Sequence, residues 1–144
     1  MATVTAQLRS GMKTTLSARQ FTWSADEPPA GGGTDGGPTP YEILLGGLAA
    51  CTAITLRWYA DRKELPLAGV DVALELDRVH AEDCAECDGE GRGLIERIRS
   101  EVTIFGSFDE AQRARLAQIV ERCPVHKTLT RGVQIFDTVA FANA

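Results

Sequence analysis

The sequence lacks any cluster of basic residues. Its 144 residues include 15 Lys and Arg against 20 Asp and Glu, which gives a formal net charge of -5. Nucleic acids and anionic membrane surfaces attract strongly positive proteins, so neither is an expected partner of this chain. The length fits one domain over residues 1–144, and a hydrophobic share of 44% is enough for a globular core.

Long apolar runs are also missing. Arg9 and Lys13 interrupt the beginning of the chain, and no long apolar run follows them, so we expect no secretory signal peptide. The most apolar stretch lies within residues 38–60, but it is short and rich in Gly and Thr, which argues against a membrane span. A cytoplasmic location is therefore the default expectation.

Cysteine is scarce, with four residues in the chain. In a cytosolic protein, four Cys are more typical of metal binding or catalysis than of a structural disulfide framework. Each of them is therefore a candidate for chemistry, and their surroundings decide which kind.

The order of predicted elements indicates the fold class. Alternating side chains predict strands, and apolar faces after capping signals predict helices. The expected order is three N-terminal strands, a long helix, two strands, a second helix that begins at a Ser107–Glu110 capping box and stops at Pro124, and a last strand; the strands cover residues 3–8, 12–18, 21–24, 70–79, 94–105 and 133–141. This pattern predicts an α+β fold with a mostly antiparallel sheet. The loop of residues 26–38, dense in Gly and Pro, is either a surface linker or the edge of a binding pocket.

The long helix is the most informative part of the chain. Thr39 is its expected N-cap, and Glu42 completes a capping box three residues later. Residues 43–56 are apolar, small or Thr on nearly every side, which is typical of a helix that is buried all round. Gly46 and Gly47 are costly in a helix interior, so we expect another segment or a ligand to approach there.

Two cysteines lie on predicted helices. Cys51 is near the middle of the long helix, and Cys123 is in the last turn of the second. They are either small core residues or a redox pair. The negative end of a helix dipole disfavours a thiolate at Cys123, which suits a resolving thiol. A thiolate at Cys51 needs a cation from elsewhere, and Arg9 and Arg19, which flank the second strand, are the candidates.

The other two cysteines form a separate cluster with a histidine. His80, Cys84 and Cys87 have the spacing of a partial zinc site, which lacks a fourth ligand such as Asp83, Asp88 or a residue of a dimer mate. Two alternatives stay open: a redox-active dithiol that passes electrons toward Cys51 and Cys123, or a surface hairpin with two free thiols. His126 is expected to be a structural histidine that could also tune Cys123.

Two segments carry a resemblance to a known family. Pro-Thr-Pro-Tyr-Glu-Ile-Leu-Leu-Gly-Gly-Leu-Ala-Ala-Cys-Thr at residues 38–52, together with Glu-Arg-Cys-Pro-Val-His-Lys-Thr-Leu at 121–129, resembles the OsmC/Ohr family of osmotically inducible and organic-hydroperoxide-resistance proteins. The similarity runs from about Gly31 to Val139. It implies an intertwined homodimer in which sheets of both subunits enclose two long central helices. It also implies thiol-dependent reduction of hydroperoxides, with Cys51 as the peroxidatic and Cys123 as the resolving thiol.

The remaining site residues of the family transfer less directly. The resemblance implies an arginine from the first turn region, which maps best onto Arg9 and leaves Arg19 open. It also implies a glutamate directly after the Pro of the first motif, where this chain has Tyr41 followed by Glu42. Nine residues at about 100° each place Glu42 roughly opposite Cys51 on the helix, so the capping role is favoured for it.

The sequence thus supports two functions. The first is a peroxidase for organic or fatty-acid hydroperoxides that needs no cofactor and is restored by a dithiol reductant such as a lipoyl-type protein. The second is a binding or redox-sensing protein that keeps the fold and the thiols without peroxidase turnover. Zinc is a candidate only at the His80 cluster.

Overall fold

The computed structural model describes residues 1–87 and 93–143. It contains two antiparallel sheets and three α-helices, which confirms the predicted α+β class. The strands are β1 (Thr5–Gln7), β2 (Thr14–Ala18), β3 (Phe21–Ala25), β4 (Leu67–His80) and β5 (Leu94–Gly106), and the helices are α1 (Pro40–Arg62), α2 (Glu110–Val120) and α3 (Pro124–Arg131).

The residues group into two compact units. The first contains Met1–Ala49 and Ala73–Glu101, and the second contains Ala50–Val72 and Val102–Ala144. Helix α1 and strands β4 and β5 each have a part in both units. The single domain over residues 1–144 stays a prediction.

The N-terminal meander of the first unit forms as predicted. Strand β1 pairs antiparallel with β2, and β2 pairs antiparallel with β3. In the turn between β2 and β3, Arg19 has a left-handed backbone with φ 54°. Its guanidinium carbon lies 5.0 Å from the centre of the Phe21 ring, a cation–π contact that holds Arg19 at this turn.

The loop after β3 is built around one carboxylate. Asp26 is buried, and its side chain accepts hydrogen bonds from the backbone of Glu27, Thr34 and Gly36 and from the Thr34 hydroxyl. These bonds lower the pKa of Asp26 from 3.8 to about 2, the Gly36 bond most of all. A Cβ at Gly33 would lie 2.6 Å from Asp26 Oδ1, so the loop needs glycine there. The hydrogen bonds to Asp26 thus give residues 26–36 a defined loop conformation, which a flexible linker would lack.

Helix α1 begins as predicted. The Thr39 N–H donates to Glu42 Oε2 at 2.7 Å, and the Glu42 N–H donates to the Thr39 hydroxyl at 3.3 Å, which confirms the capping box. The helix ends at Arg62.

The expected burial of α1 on every side is not observed. Within the described residues, only a stripe at i, i+4 spacing is buried, formed by Leu48, Thr52, Leu56 and Ala60. Apart from the neighbouring residues and backbone of the helix itself, no described atom lies within 4 Å of a Cβ built on Gly46 or Gly47, so no described segment makes the approach expected there. By length and composition alone α1 could cross a membrane, with a mean hydropathy of 1.4, a test that the core helix of a soluble protein also passes.

The core of the second unit joins α1 and α2. Leu56, Leu116 and Ile119 are buried together, and the partly buried side chains against them include Tyr59 and Phe108. The N-cap of α2 is Asp109, which forms a capping box with Gln112. The predicted Ser107–Glu110 box is therefore wrong, because Asp109 offers a carboxylate two residues later and Glu110 is the first helical residue.

The C-terminal part differs most from the prediction. Pro124 does not end the helical region; it is the first residue of α3, the position where its fixed φ and missing N–H favour a helix start. The predicted strand 133–141 is absent, and these residues have no regular structure. No strand pairs with them in the described part of the chain, and Ile135 and Phe136 are 75% and 88% exposed.

Candidate thiol site

The structure brings Cys51 and Cys123 together in the second unit. Cys51 lies on α1 and is half-buried, while Cys123 precedes α3 and is completely buried. The two thiols lie close enough to interact, because the Cys51 side chain contributes to the raised pKa of the Cys123 thiol, and both thiols are free. The sequence placed these residues 72 positions apart on two helices, so the fold creates this contact.

The buried member of the pair keeps its proton. Burial raises the pKa of the Cys123 thiol, the interaction with the Cys51 side chain raises it further, and the backbone N–H of His126 opposes both. Cys51 is the member that solvent reaches. The accessible Cys51 sulfur therefore suits a nucleophile. The buried, protonated Cys123 thiol beside it suits a resolving thiol.

The predicted position of Cys123 in its helix is wrong. Cys123 is not in the last turn of a helix; it is the N-cap of α3, and its sulfur accepts from the His126 N–H at 3.5 Å. The positive end of α3 therefore faces the sulfur, and burial rather than a helix dipole keeps it protonated. The His126 backbone was missed as a partner of this site, although Pro124 directly after Cys123 was the signal for a helix start.

The two candidate arginines lie in the other compact unit. Arg9 is exposed between β1 and β2, and Arg19 is held against Phe21 in the next turn. Arg9 forms no ion pair within the described residues, so its guanidinium is available to an anionic group.

The acidic candidate is occupied at the helix start. Glu42 Oε2 accepts a hydrogen bond from the Thr39 N–H, as expected for a capping residue. Tyr41, which has the position of the family glutamate, donates its hydroxyl to Glu96 at 3.2 Å. Glu96 also accepts from Arg78 at 2.9 Å, so Tyr41 belongs to a polar network on the hairpin strands.

The second cysteine pair is a disulfide in this structure. Cys84 and Cys87 are bonded, with Cα atoms 5.4 Å apart. Zinc needs two thiolates there, and within residues 1–87 and 93–143 no group of three His, Cys, Asp or Glu could hold a metal. In the disulfide form Cys84 and Cys87 cannot bind zinc, so a zinc site at His80, Cys84 and Cys87 stays a prediction for the reduced chain, and Asp88 lies outside the described residues. Two free thiols do not match the bond that is present, and the redox-active dithiol stays a prediction.

The chain is similar to known proteins of one family. The family model for OsmC-like protein matches residues 32–136. No curated protein matches the chain significantly. Similar solved structures include an OsmC-like protein from Mycoplasma pneumoniae, with 24% identity, coverage of 90% of this chain and 87% of that chain, and a TM-score of 0.66.

Two further structures have the same fold. The organic hydroperoxide resistance protein OsmC of Legionella pneumophila has 19% identity, coverage of 90% and 88% and a TM-score of 0.63. The organic hydroperoxide resistance protein OhrB of Bacillus subtilis has 23% identity, coverage of 92% and 91% and a TM-score of 0.58. The family match includes both cysteines of the thiol site and most of the chain. The chain therefore belongs to the OsmC-like protein family.

Proposed function

We propose that this protein is a peroxide-defence enzyme that reduces organic hydroperoxides through Cys51 and Cys123. The observation that carries the proposal is the contact between the half-buried Cys51 and the fully buried, protonated Cys123. Two proteins of the same fold are named organic hydroperoxide resistance proteins, which supports this class of oxidant. The cytoplasm, where dithiol reductants are abundant, is the proposed location.

The reaction divides into two balanced steps. The Cys51 thiolate attacks the distal peroxide oxygen, the O–O bond breaks, and Cys51 becomes a sulfenic acid, while the released alkoxide takes up a proton and leaves as the alcohol. The Cys123 sulfur then attacks the Cys51 sulfur, an S–S bond forms, and water leaves with the Cys123 proton and the sulfenic hydroxyl. A dithiol reductant such as a lipoyl-type protein returns two electrons and two protons.

The contact explains why the second step follows the first. The two thiols lie close together in the fold, so a disulfide can form between them without a large rearrangement. Burial of Cys123 also keeps this thiol from reacting with the peroxide itself.

We further propose that Arg9 is the cation that serves Cys51. An arginine stabilises a thiolate and can hold a peroxide oxygen through its fixed charge. Arg19 is the weaker candidate because its guanidinium lies on Phe21. Glu42 is assigned to the helix cap rather than to catalysis.

A second copy of the chain is the proposed partner. Helix α1 exposes apolar residues such as Leu44 and Ile54, and the C-terminal segment exposes Val133, Ile135 and Phe136. Exposed apolar surface of this extent is typical of an interaction site. A homodimer would cover the open faces of α1 and give residues 133–141 a strand to pair with.

The test is peroxide consumption by purified variants. Wild type should consume cumene hydroperoxide catalytically with a dithiol present, and Cys51→Ser should lose at least about a thousandfold in rate because no other nucleophile remains at the site. Cys123→Ser should consume one equivalent and then over-oxidise at Cys51. Arg9→Ala should slow the first step roughly tenfold or more, with Arg19→Ala as the matched control.

Full activity of Cys51→Ser would contradict the proposal and leave the binding or sensing alternative. A Cys84→Ser/Cys87→Ser variant that keeps wild-type turnover would show that the hairpin disulfide is not required.

A further inference from the structure

The disulfide between Cys84 and Cys87 follows strand β4 and has no part in the proposed peroxidase reaction. It joins two cysteines that are three positions apart in the sequence. In the cytoplasm, the proposed location, disulfides are usually transient and serve catalysis or redox sensing. The pair is therefore a candidate for redox chemistry of its own.

The bond is not needed to hold the β4–β5 connection in place. A disulfide stabilises a fold mainly by restricting the unfolded chain, and the effect is smallest for a short closed loop such as residues 84–87. Backbone hydrogen bonds already join the segment: the Ala81 N–H donates to the Gly93 carbonyl at 2.9 Å, and the Cys84 N–H donates to the Ala81 carbonyl at 3.3 Å. The bond can therefore open and close while these backbone contacts remain.

The two cysteines differ in access to solvent. Cys84 is buried, with 7% of its surface exposed, whereas Cys87 is half-buried. Thiol–disulfide exchange begins when a thiolate attacks one sulfur of the bond, and access decides which sulfur that is. Cys87 is therefore the point of attack, and Cys84 is the leaving group.

A cavity beside the bond contains a cation that is free to respond. The cavity measures about 330 Å³, and both cysteines, Arg97 and Arg99 are among its lining residues. Asp77 neutralises Arg97 through two hydrogen bonds, at 2.9 and 2.6 Å. Arg99 lies 3.9 Å from Glu86, a carboxylate that is 81% exposed, so this ion pair is weak. Arg99 can therefore turn toward a thiolate that forms in the cavity.

The residues next to the pair in the sequence are suited to solvent. Glu82, Asp83 and Glu86 are exposed. The proposed homodimer covers the open face of α1 and residues 133–141, and neither surface includes this segment. A reductant can therefore approach the bond in the dimer.

We propose that the Cys84–Cys87 bond is a thiol–disulfide exchange site that takes two electrons from a dithiol. One thiolate of the dithiol attacks the Cys87 sulfur, the S–S bond breaks, and Cys84 leaves as a thiolate and takes up a proton. The second thiol of the reductant then attacks the reductant sulfur of the mixed disulfide, which releases Cys87 and closes a disulfide in the reductant. The pair gains the two electrons and two protons that the dithiol loses.

The spacing of the two cysteines selects a dithiol over a monothiol. After attack by a monothiol, Cys84 is held next to the mixed disulfide and expels the monothiol before a second one arrives. A dithiol brings its second thiol with it, so it completes the reaction in competition with Cys84. Neither step uses Cys51 or Cys123, so the proposal does not depend on the peroxidase reaction.

The experiment uses the full chain, in its solution assembly, with Cys51→Ala and Cys123→Ala, so that one cysteine pair remains. Oxidised protein is equilibrated with dihydrolipoamide and lipoamide at several ratios, and free thiols are counted by alkylation and mass spectrometry. Both forms of the pair should be present, and a change of about tenfold in the ratio of the two reagents should change the ratio of reduced to oxidised protein about tenfold. A bond that stays closed in about a hundredfold excess of dihydrolipoamide is a structural disulfide and would overturn the proposal.

Two further variants of this chain test the order of the sulfurs. Cys84→Ala keeps Cys87, and Cys87→Ala keeps Cys84. With glutathione disulfide, Cys84→Ala should form its mixed disulfide at least about tenfold faster, because Cys87 is the accessible residue. Equal rates for the two variants, both folded by circular dichroism, would contradict the assigned point of attack.

Arg99→Gln tests the cation beside the bond. It should slow reduction of the pair by dihydrolipoamide about threefold, a modest effect because solvent screens a half-exposed arginine. Arg78→Gln, which changes an exposed arginine of β4 that does not line the cavity, is the matched control and should change nothing. Equal effects of the two variants would contradict the role of Arg99. Reduced protein that binds about one zinc per chain and no longer reduces lipoamide would overturn the exchange site in favour of a metal site.

Discussion

At the scale of single residues, environment rather than residue type decides what the groups do. Cys51 and Cys123 both belong to the ends or the interior of helices, yet solvent reaches the Cys51 sulfur, whereas the Cys123 thiol is buried and protonated. The motif around each cysteine was enough to predict the pair. Their difference in burial was not predictable, because it comes from packing between segments far apart in the sequence.

Asp26 is the second residue whose surroundings set its chemistry. Four hydrogen bonds depress its folded pKa to about 2, whereas the unfolded chain keeps an ordinary value near 3.8. A depressed pKa contributes stability above the unfolded pKa, and this stability is lost as the pH falls from about 4 to 2. The Gly- and Pro-rich composition predicted a loop but gave no sign of this anchor.

We therefore predict that Asp26→Asn lowers the melting temperature by several degrees at pH 7, because the amide cannot accept all the bonds of the carboxylate. The difference from wild type should shrink between pH 4 and pH 2. Thermal denaturation over that range measures it. Asp35→Asn, which changes an exposed carboxylate of the same loop, is the control. A constant difference at every pH would contradict the assigned role.

At the scale of elements, helices and strands were predicted correctly where a capping motif or a regular alternation of apolar and polar residues marked them. The capping box of α1 and the three N-terminal strands follow from short-range chemistry, and the structure has them as predicted. Helix α3 was missed because Pro124 was interpreted as a stop signal, although proline also favours the first turn of a new helix. Strand 133–141 was predicted from alternation alone, which says nothing about whether a neighbouring strand exists.

The start of α2 offers a test between the predicted and the observed cap. Asp109→Ala should cost about 1 kcal/mol of unfolding free energy, because the N–H of Gln112 loses its acceptor. Ser107→Ala should cost almost nothing, since Ser107 is exposed and does not cap the helix. Urea denaturation of the two variants measures the difference. An equal or larger loss for Ser107→Ala would show that the cap is misassigned.

At the scale of the whole molecule, the family and the fold class were predictable from two short segments, and the burial of α1 was not. The apolar sequence of a helix predicts that the helix is buried, but it does not show whether the same chain or a second copy buries it. In this chain one stripe of α1 is covered, and the exposed C-terminal segment has no strand partner within the described residues.

We predict that the chain is a homodimer at micromolar concentration, because a folded monomer would leave these surfaces in water. Sedimentation equilibrium should give about twice the chain mass of 15.5 kDa. A chain that ends at Gly132 should dissociate more easily, since it lacks the exposed segment. A stable folded monomer for the full chain would contradict the dimer.

Cys51 and Cys123 are expected to form a disulfide when the protein reduces a hydroperoxide, and disulfide mapping measures this bond. Reduced protein is treated with one equivalent of an organic hydroperoxide, blocked with an alkylating reagent, digested and analysed by mass spectrometry. We expect a Cys51–Cys123 disulfide, two fewer alkylated thiols and one equivalent of alcohol. Unchanged, alkylatable Cys51 and Cys123 after the peroxide has been consumed would contradict it.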